Sequence, residues 1–529
     1  MNQEQILELE FGVITDLIRR HARDDPSRRA LVEGTQVGAQ FVNYAALDAW
    51  MDRVACALQR DGLKPGDAIA ICASASIAYA AVFLGALRAG VVVAPLAPGS
   101  TAASLVRMLQ DAQARVLFLD AAAAAALGAD LVPGIPRIML DNSPPGRTLE
   151  AWQAAPGEKP AGVAVEPSWA FNIIYSSGTT GEPKGIVQPH SMRWSHVRRG
   201  KTYGYGSDTI TLLSTPLYSN TTLVVFFPTL TFGGTVVLMP KFDAQAYLQL
   251  AQEQRITHTM LVPVQYQRLM ARPDFDSYDL SSFRVKFSTS APFGAALKAD
   301  VLKRWPGGLV EFYGMTEGGG TCILEAHLYP DKLHTVGLPA EGHDIRLIDD
   351  AGQVVARGEA GEVVGRSAGM MSGYHGQPGK TREAEWFDPE GQRFIRTGDI
   401  GRFDGDGFLI LFDRKKDMII SGGFNIYPSD LEAVLRQHPA VADAAVVGVP
   451  SEEWGETPVA FVVSTDAGDT LDPDSGTSAS AETLMLWVNQ RVGRTQRLAA
   501  VRFLEELPRS PIGKVLKREL RDRYETDTA

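Results

Sequence analysis

The chain has 529 residues, of which 45% are hydrophobic and 21% charged, so it has the composition of a folded protein and the length for two to four domains. Its net charge of −11 argues against nucleic-acid binding, and its 3 scattered cysteines argue against a disulfide framework or a zinc site. The absence of signal-peptide features and of a long uninterrupted apolar stretch predicts a cytoplasmic protein without a transmembrane segment.

The N-terminal part alternates helical and strand patterns. Apolar periodicity predicts helices over 44–60, 77–88 and 105–112, strands over 68–71, 91–93 and 116–119, and a helix start in the alanine run 121–126. Because parallel strands are joined by helical crossovers, this alternation predicts an α/β fold, a large region of mostly parallel sheets with helices on their faces.

A run rich in glycine and hydroxyl side chains, Tyr175-Ser-Ser-Gly-Thr-Thr-Gly-Glu-Pro-Lys-Gly185, follows a predicted strand over 172–175. Glycines let backbone N–H groups approach an anion closely, and hydroxyls and a lysine add donors and charge. The candidate phosphate-binding residues are Ser176, Ser177, Gly178, Thr179, Thr180, Gly181 and Lys184. The spacing differs from a Walker A loop, which places four residues between its first glycine and Gly-Lys-[Ser/Thr].

The last quarter of the chain predicts a small α+β unit. Its predicted strands span 408–412, 441–449, 458–464 and 501–504, and its predicted helices span 429–437 and 483–492, with a polar loop over 465–480. A charged run, 413–417, separates two apolar strands and is a candidate hinge. We therefore expect an N-terminal domain over 1–412, a hinge over 413–417 and a mobile C-terminal domain over 418–529.

Four further runs occur in order along the chain: Glu311-Phe-Tyr-Gly-Met-Thr-Glu317, Arg396-Thr-Gly-Asp399, Asp413-Arg-Lys-Lys-Asp-Met-Ile-Ile-Ser-Gly-Gly-Phe-Asn-Ile-Tyr-Pro428 and Pro508-Arg-Ser-Pro-Ile-Gly-Lys514. With the 175–185 run, they resemble the core motifs of the adenylate-forming superfamily, which includes acyl-CoA synthetases, peptide-synthetase adenylation domains and firefly-type luciferases. The resemblance points to its acyl- and aryl-CoA synthetases, such as 4-coumarate, benzoate and fatty-acid CoA ligases.

The resemblance implies two half-reactions with ATP, Mg²⁺ and CoA. A carboxylic acid is first adenylated with release of pyrophosphate, and the CoA thiol then displaces AMP. The substrate is expected to be an aryl or phenylpropenoic acid, or a medium- to long-chain acid. A homodimer is also expected to be possible.

The resemblance assigns roles to single residues. Lys514, Thr316, Glu317 and Lys184 are the implied catalytic residues, and Glu317 is the implied Mg²⁺ ligand. Asp399 and Arg414 are implied to bind the ribose, and the implied adenine slot consists of Ser290, Ala291, Pro292, Glu311, Phe312 and Tyr313. Gly314, which follows, is also implied to bind ATP or AMP. Lys416 is the implied hinge, and the implied CoA-binding residues are Ser421, Gly422, Gly423, Trp454 and Arg497.

The implied acyl pocket is lined by Tyr218, Ser219, Asn220, Thr221, Met260, Gly314, Gly319 and Gly320, and Phe312 is a further expected wall position. Many relatives have a histidine where this chain has Ser219. The glycine run 318–320 is expected to leave the pocket deep, and the absence of Arg or Lys from these segments argues against a second carboxylate on the acid.

A second departure concerns CoA. Relatives often have a Tyr/Phe-Lys-x-Pro-Lys segment where this chain has Thr495-Gln-Arg-Leu-Ala499. A basic cluster lies elsewhere in the chain and consists of Arg198, Arg199 and Lys201. It is expected to be a solvated loop, and the alternative is that it binds the CoA nucleotide.

Three alternatives to a free-standing CoA ligase remain open at this point. The chain could load a carrier-protein thiol in trans, oxidise an adenylate as luciferases do, or be a non-catalytic binding protein. Retention of Lys184, Glu317, Asp399, Arg414 and Lys514 argues against the last.

Overall fold

The computed structural model describes residues 3–34, 40–128, 134–144, 146–176, 183–421, 424–451, 454–465, 480–493, 496–510 and 513–528. The chain divides into two compact units. The first contains Met1–Ile345 and Gly365–Ile395, and the second contains Arg346–Val364 and Arg396–Ala529.

The helices in the described ranges are α1 (Gln3–Leu7), α2 (Ile14–Asp24), α3 (Tyr44–Arg60), α4 (Ile77–Arg88), α5 (Ala102–Asp111), α6 (Ala121–Leu127), α7 (Leu149–Trp152), α8 (His190–Arg199), α9 (Asn220–Thr231), α10 (Ala244–Glu253), α11 (Pro263–Met270), α12 (Ala295–Arg304), α13 (Pro378–Glu383), α14 (Pro428–Leu435), α15 (Ala481–Asn489) and α16 (Lys517–Thr528). None of these described helices is long and apolar enough to cross a bilayer.

The strands are β1 (Arg29–Glu33), β2 (Gln40–Asn43), β3 (Ala68–Cys72), β4 (Val92–Leu96), β5 (Ala114–Leu119), β6 (Arg137–Met139), β7 (Arg147–Thr148), β8 (Ala170–Ser176), β9 (Lys184–Pro189), β10 (Ile210–Leu213), β11 (Thr235–Leu238), β12 (His258–Leu261), β13 (Val285–Ser288), β14 (Gly308–Tyr313), β15 (Cys322–Glu325), β16 (Leu338–Pro339), β17 (Asp344–Ile348), β18 (Gly361–Arg366), β19 (Gly373–Tyr374), β20 (Glu385–Phe387), β21 (Arg393–Phe403), β22 (Leu409–Arg414), β23 (Ile419–Ser421), β24 (Phe424–Ile426), β25 (Val441–Ser451), β26 (Gly455–Ser464) and β27 (Ala500–Leu504).

Two large sheets form the first unit. The eight-stranded sheet has the order β19-β9-β8-β4-β3-β5-β6-β7, and the nine-stranded sheet has the order β16-β15-β14-β13-β12-β10-β11-β1-β2. The central strands of both sheets are parallel, and antiparallel strands lie toward the edges. The predicted α/β fold with mostly parallel sheets is confirmed.

One hydrophobic core joins the two sheets of the first unit. It includes residues of β3 and β4 from one sheet, residues of β10, β11 and β13 from the other, and residues of α3, α4 and α9. Helix α4 is apolar on all sides and buried, and its N-cap Ser76 accepts a hydrogen bond from the Tyr79 N–H.

The predicted N-terminal helices and strands are present, with ends displaced by a few residues. For example, α5 begins before the predicted residue 105 because the Thr101 hydroxyl accepts from the Ser104 N–H and caps the helix there. Most of the predicted polar loop 465–480 lies outside the described residues.

The second unit contains a sheet of order β24-β23-β26-β25, with β27 parallel to β26. Successive residues of β25 point to opposite faces of the sheet and pack into two hydrophobic cores. Ala444 and Val446 pack with α14 and α15, and Ala445 and Val447 pack with Leu520 of α16. Strands β21 and β22 of this unit pair antiparallel, with Asp399 opposite Arg414.

Candidate functional site

The predicted phosphate-binding run leaves the carboxyl end of β8 and returns along β9. These strands are antiparallel, with Ser176 opposite Lys184 and Tyr175 opposite Gly185. The residues between them, 177–182, and the side chain of Ser176 lie outside what the structure describes. Behind the pair, the Tyr175 hydroxyl donates to Asp111 Oδ2 at 2.6 Å, which ties the hairpin to α5.

Lys184 and Glu317 meet at one tyrosine. The Lys184 Nζ lies 5.2 Å from the centroid of the Tyr374 ring, and the Tyr374 hydroxyl donates to Glu317 Oε1 at 2.9 Å. Burial, and then the charge of Glu317, raise the pKa of Tyr374, so this hydroxyl stays protonated and donating. Sequence reasoning missed Tyr374 because β19 is too short to show a periodic pattern.

The implied adenine slot lies at the carboxyl ends of two neighbouring parallel strands, where α/β sheets bind ligands. Ser288 of β13 is in register with Glu311 of β14, so the residues that follow each strand are adjacent. Ser290 has φ of 80°, a left-handed conformation, and its hydroxyl lies 2.6 Å from the Thr221 hydroxyl. Ala291 and Pro292 continue this segment.

The Glu311 side chain points away from solvent and forms an ion pair with Lys298 of α12. Burial raises the pKa of Glu311, and the Lys298 charge opposes that rise. The Lys298 Nζ also donates to the carbonyls of Leu333 and Thr335, at 2.8 and 3.0 Å. The ion pair therefore links the end of β14 to α12, and the place of Glu311 in an adenine slot stays a prediction.

A largely buried polar network supports the run 311–317, and its members are Asn172, Gln188, Arg193 and Asn220. The Arg193 guanidinium donates to the side-chain oxygens of Asn172, Gln188 and Asn220. The Gln188 Nε2 donates to the Thr316 carbonyl at 2.6 Å and thereby holds the backbone beside Glu317. Burial lowers the pKa of Arg193 to about 9. Nothing in the sequence marks Gln188 or Arg193 as part of the site.

The segment 216–222 begins a helix. Ser219, which stands where relatives have histidine, is the N-cap of α9, and its hydroxyl accepts from the Thr221 N–H. Burial raises the pKa of the neighbouring Tyr218 to about 12. Met260 is fully buried in the core, and Phe312 stacks on Phe287 with ring centroids 5.5 Å apart.

The glycine run after Glu317 packs tightly against backbone. A Cβ at Gly318 would lie 2.0 Å from the Gly369 carbonyl oxygen, and one at Gly319 would lie 2.8 Å from the Gly365 carbonyl oxygen. A Cβ at Gly320 would lie 1.7 Å from Ile345 Cδ1. These glycines are needed for close packing, so their lack of side chains does not by itself indicate a deep pocket; their place in an acyl pocket stays a prediction.

In the second unit, three predicted residues come together. Arg414 Nε lies 3.3 Å from Asp399 Oδ1, as their cross-strand register requires. Lys514 is near enough to Arg414, Lys416, Asp399 and Asp417 to interact with their charges. Burial, followed by the positive charge of Arg414, lowers the pKa of Lys514 to about 8.

The charged segment 413–417, the candidate hinge, is tied to α16. The Arg521 guanidinium donates to Asp417 Oδ1 at 2.9 Å, and the Lys517 Nζ lies 3.8 Å from Asp413 Oδ2. Burial, followed by the positive charges of neighbouring groups, lowers the pKa of Lys416.

Two of the implied CoA-binding residues, Ser421 and Trp454, lie close together along a pair of strands, Ser421 within β23 and Trp454 immediately before β26. Ser421 of β23 pairs with Gly455 of β26, which follows Trp454 directly, and the Trp454 side chain is 48% exposed. Arg497 is exposed. Gly422 and Gly423 lie outside the described residues.

Comparison with known proteins identifies the family. A model described as "AMP-binding enzyme" matches residues 18–375, and one described as "AMP-binding enzyme C-terminal domain" matches residues 430–514. This chain belongs to the AMP-binding enzyme family. Its relatives are named as CoA ligases and synthetases, so the chain is an enzyme, an AMP-forming acid–thiol ligase, and the resemblance seen in the sequence is confirmed.

Individual relatives match along nearly their whole length. A feruloyl-CoA synthase of Amycolatopsis sp is 34% identical over 516 residues, covering 96% of this chain and 98% of that protein. A fatty acid–[acyl-carrier-protein] ligase, ScoC, of Streptomyces coeruleorubidus is 31% identical over 526 residues, covering 96% of each. Among solved structures, the amide bond synthetase McbA of Marinactinospora thermotolerans matches with a TM-score of 0.83 and 29% identity, covering 97% of this chain and 99% of that one.

The residues around Glu317 of this AMP-binding enzyme fit a magnesium ion. No group of three or more His, Cys, Asp or Glu side chains suited to a metal occurs in the described part of the chain. Mg²⁺ is commonly held by one or two carboxylates together with substrate phosphates and water. Glu317 could supply that carboxylate, with Tyr374 fixing its other oxygen.

The expectation that the basic cluster is a solvated loop was wrong for Arg198 and Arg199, which are the last two residues of α8. Arg199 is the last residue of α8, and its guanidinium lies 5.9 Å from the Phe312 ring centroid. Arg198 and Lys201 are exposed, as expected.

Proposed function

We propose that this AMP-binding enzyme is an acid:CoA ligase whose substrate is an aryl or phenylpropenoic acid, or a medium- to long-chain aliphatic acid. The acid carboxylate attacks the α-phosphorus of ATP, and pyrophosphate leaves. The CoA thiol then attacks the carbonyl of the acyl-adenylate, loses its proton, and AMP leaves as the thioester forms. The relatives named for feruloyl-CoA and for fatty acids support these two classes of acid.

The convergence of Lys184 and Glu317 on Tyr374 carries this proposal. An ammonium beside the phosphate-binding run and a carboxylate close to it are the two charges that a metal-bound polyphosphate requires. Bound Mg²⁺ neutralises phosphate charge. Lys184 binds the phosphates, Thr316 lies beside the α-phosphate, and Tyr374 holds the Glu317 carboxylate in one orientation.

The family resemblance assigns the remaining groups. Asp399 accepts hydrogen bonds from the ribose hydroxyls, Arg414 donates to the same sugar, and Lys514 places its ammonium on the α-phosphate as negative charge develops there. The domains 1–412 and 418–529 then change their arrangement about Lys416. In the new arrangement Ser421, Gly422, Gly423, Trp454 and Arg497 bind CoA. Cytoplasmic location and a homodimer stay predictions.

A carrier-protein thiol is the second candidate acceptor. The relative named as a fatty acid–[acyl-carrier-protein] ligase favours it, and so does the replacement of the Lys-x-Pro-Lys segment by Thr495-Gln-Arg-Leu-Ala499.

The test is acid-dependent release of AMP from Mg·ATP, with and without CoA, over short, medium and long fatty acids and benzoic and cinnamic acids. Strong turnover that requires CoA is the expected result. Adenylate that CoA cannot discharge but a phosphopantetheinyl carrier protein can would assign the second acceptor. No AMP release with any acid would contradict both.

A further inference from the structure

Helix α8 of the first unit has basic side chains at every third position: Arg193, His196 and Arg199. Arg193 is satisfied by three amide oxygens. Among the described residues, no carboxylate lies within ion-pair distance of Arg193 or Arg199, and the buried Nδ1 of His196 has no hydrogen-bond partner. Within the described part of the chain, Arg199 is the half-buried positive charge of this set that has neither a carboxylate nor amide oxygens beside it, which is unfavourable, so an anion next to Arg199 would be stabilising.

The hydrogen bonding of His343 shows where an acceptor is missing. Its Nδ1 accepts from the Thr321 N–H at 2.9 Å, so the ring proton is on Nε2. Burial, followed by the charge of Arg199, lowers the pKa of His343 to about 4, so the ring is neutral. The Arg199 NH2 group nevertheless lies 3.4 Å from this Nε2. Two donors therefore face each other, and an acceptor beside them would satisfy both.

These donors border the predicted acyl pocket. The Arg199 guanidinium lies 5.9 Å from the centroid of Phe312, and His343 holds the backbone of Thr321. Thr321 in turn faces Gly314, since a Cβ on that glycine would lie 3.4 Å from the Thr321 Oγ1. Sequence reasoning found no basic residue in the pocket segments because Arg199 comes from a helix outside them.

We propose that the acid carries a second carboxylate at the end remote from its reacting carboxyl group, and that Arg199 and the Nε2–H of His343 bind it. This assignment rests on the proposed function and narrows its substrate class to dicarboxylic acids. A guanidinium and an imidazole N–H together match the two oxygens of a carboxylate. Binding it supplies the missing anion and the missing acceptor at once.

The test compares matched acids by kcat/KM for AMP release: benzoic with terephthalic, cinnamic with 4-carboxycinnamic, octanoic with suberic, and decanoic with sebacic acid. At least one diacid is expected to exceed its monoacid by about tenfold or more, because a polar site discriminates strongly against an analogue that leaves its donors unpaired. The variant R199M should remove most of that preference, and H343Q part of it. R198M changes an exposed arginine of the same helix and is the matched control, with the preference retained.

Both acids of a pair are measured on one preparation, so their ratio does not depend on the folded fraction of a variant. If monoacids are used and no diacid is preferred, the second-carboxylate assignment is overturned and the ligase proposal stands. A preference for 4-hydroxycinnamic over 4-carboxycinnamic acid, or a preference that R199M leaves intact, also overturns it. If neither monoacids nor diacids release AMP, the proposed function itself fails.

Discussion

At the scale of single residues, the charge of Lys514 is expected to limit the pH range over which adenylation is fast. Burial and the nearby positive charges lower its pKa to about 8, so it is protonated below that pH and loses its charge as the pH rises through it. Only the charged form stabilises a negative phosphate. We therefore expect kcat/KM for adenylation to fall by about tenfold per pH unit above about 8, because the free enzyme's pKa governs that parameter. Thioester formation from supplied acyl-adenylate should show no such fall.

The variant K514A is the matched comparison for that profile. Loss of a positioned charge on the transferred phosphate should slow adenylation by about 10² to 10³ and leave thioester formation from the adenylate nearly unaffected. Equal loss of both steps, or a pH profile without a basic limb below pH 9.5, would contradict the role given to Lys514.

At the scale of elements, the glycine run after Glu317 determines how a turn lies against its neighbours. The variant G319A puts a Cβ 2.8 Å from the Gly365 carbonyl oxygen at φ of 85°, so strain and overlap add. We expect it to destabilise the first unit by about 2–4 kcal/mol. Calorimetric unfolding should show this as a lowered transition temperature, and the KM for Mg·ATP should rise because Glu317 is displaced.

The variant G342A tests whether backbone conformation alone explains that loss. Gly342 has φ of 74° with nothing within 4 Å of its Cβ position, so its substitution should cost only about 1 kcal/mol. If the two variants are equally destabilised, close packing is not the reason for glycine at position 319.

The elements themselves were largely predictable, and their partners were not. Strand β8 and helix α3 follow from apolar periodicity that each segment contains by itself. The partner of Glu317 does not, because Tyr374 is 57 residues away in a strand of two residues. Gln188 reaches the Thr316 carbonyl across 128 residues, and an amide side chain at that position has no distinguishing pattern. Motifs locate reacting groups, and only the fold shows what holds them.

At the scale of the whole molecule, the two half-reactions are proposed to need two arrangements of the domains. The variant K416P stiffens the backbone at the proposed hinge because proline fixes φ. We expect thioester formation to slow by about tenfold or more and adenylation to slow much less, when each half-reaction is measured separately. K416R, which keeps the charge and the backbone freedom, is the control. Equal slowing of both half-reactions by K416P would contradict the hinge.

The rings of Phe287 and Phe312 stack, and the ring of Tyr203 packs edge-on against both. These aromatic positions and the glycine run 318–320 differ in the substitutions that they can accept. Phe312 and Tyr203 are half-buried, and smaller side chains there would not overlap the backbone, whereas a Cβ at Gly318 or Gly319 would overlap a backbone carbonyl oxygen. Libraries aimed at new acids should therefore vary Phe312 and Tyr203 and leave 318–320 constant, since substitutions there would mostly be lost to misfolding before any new specificity could be selected.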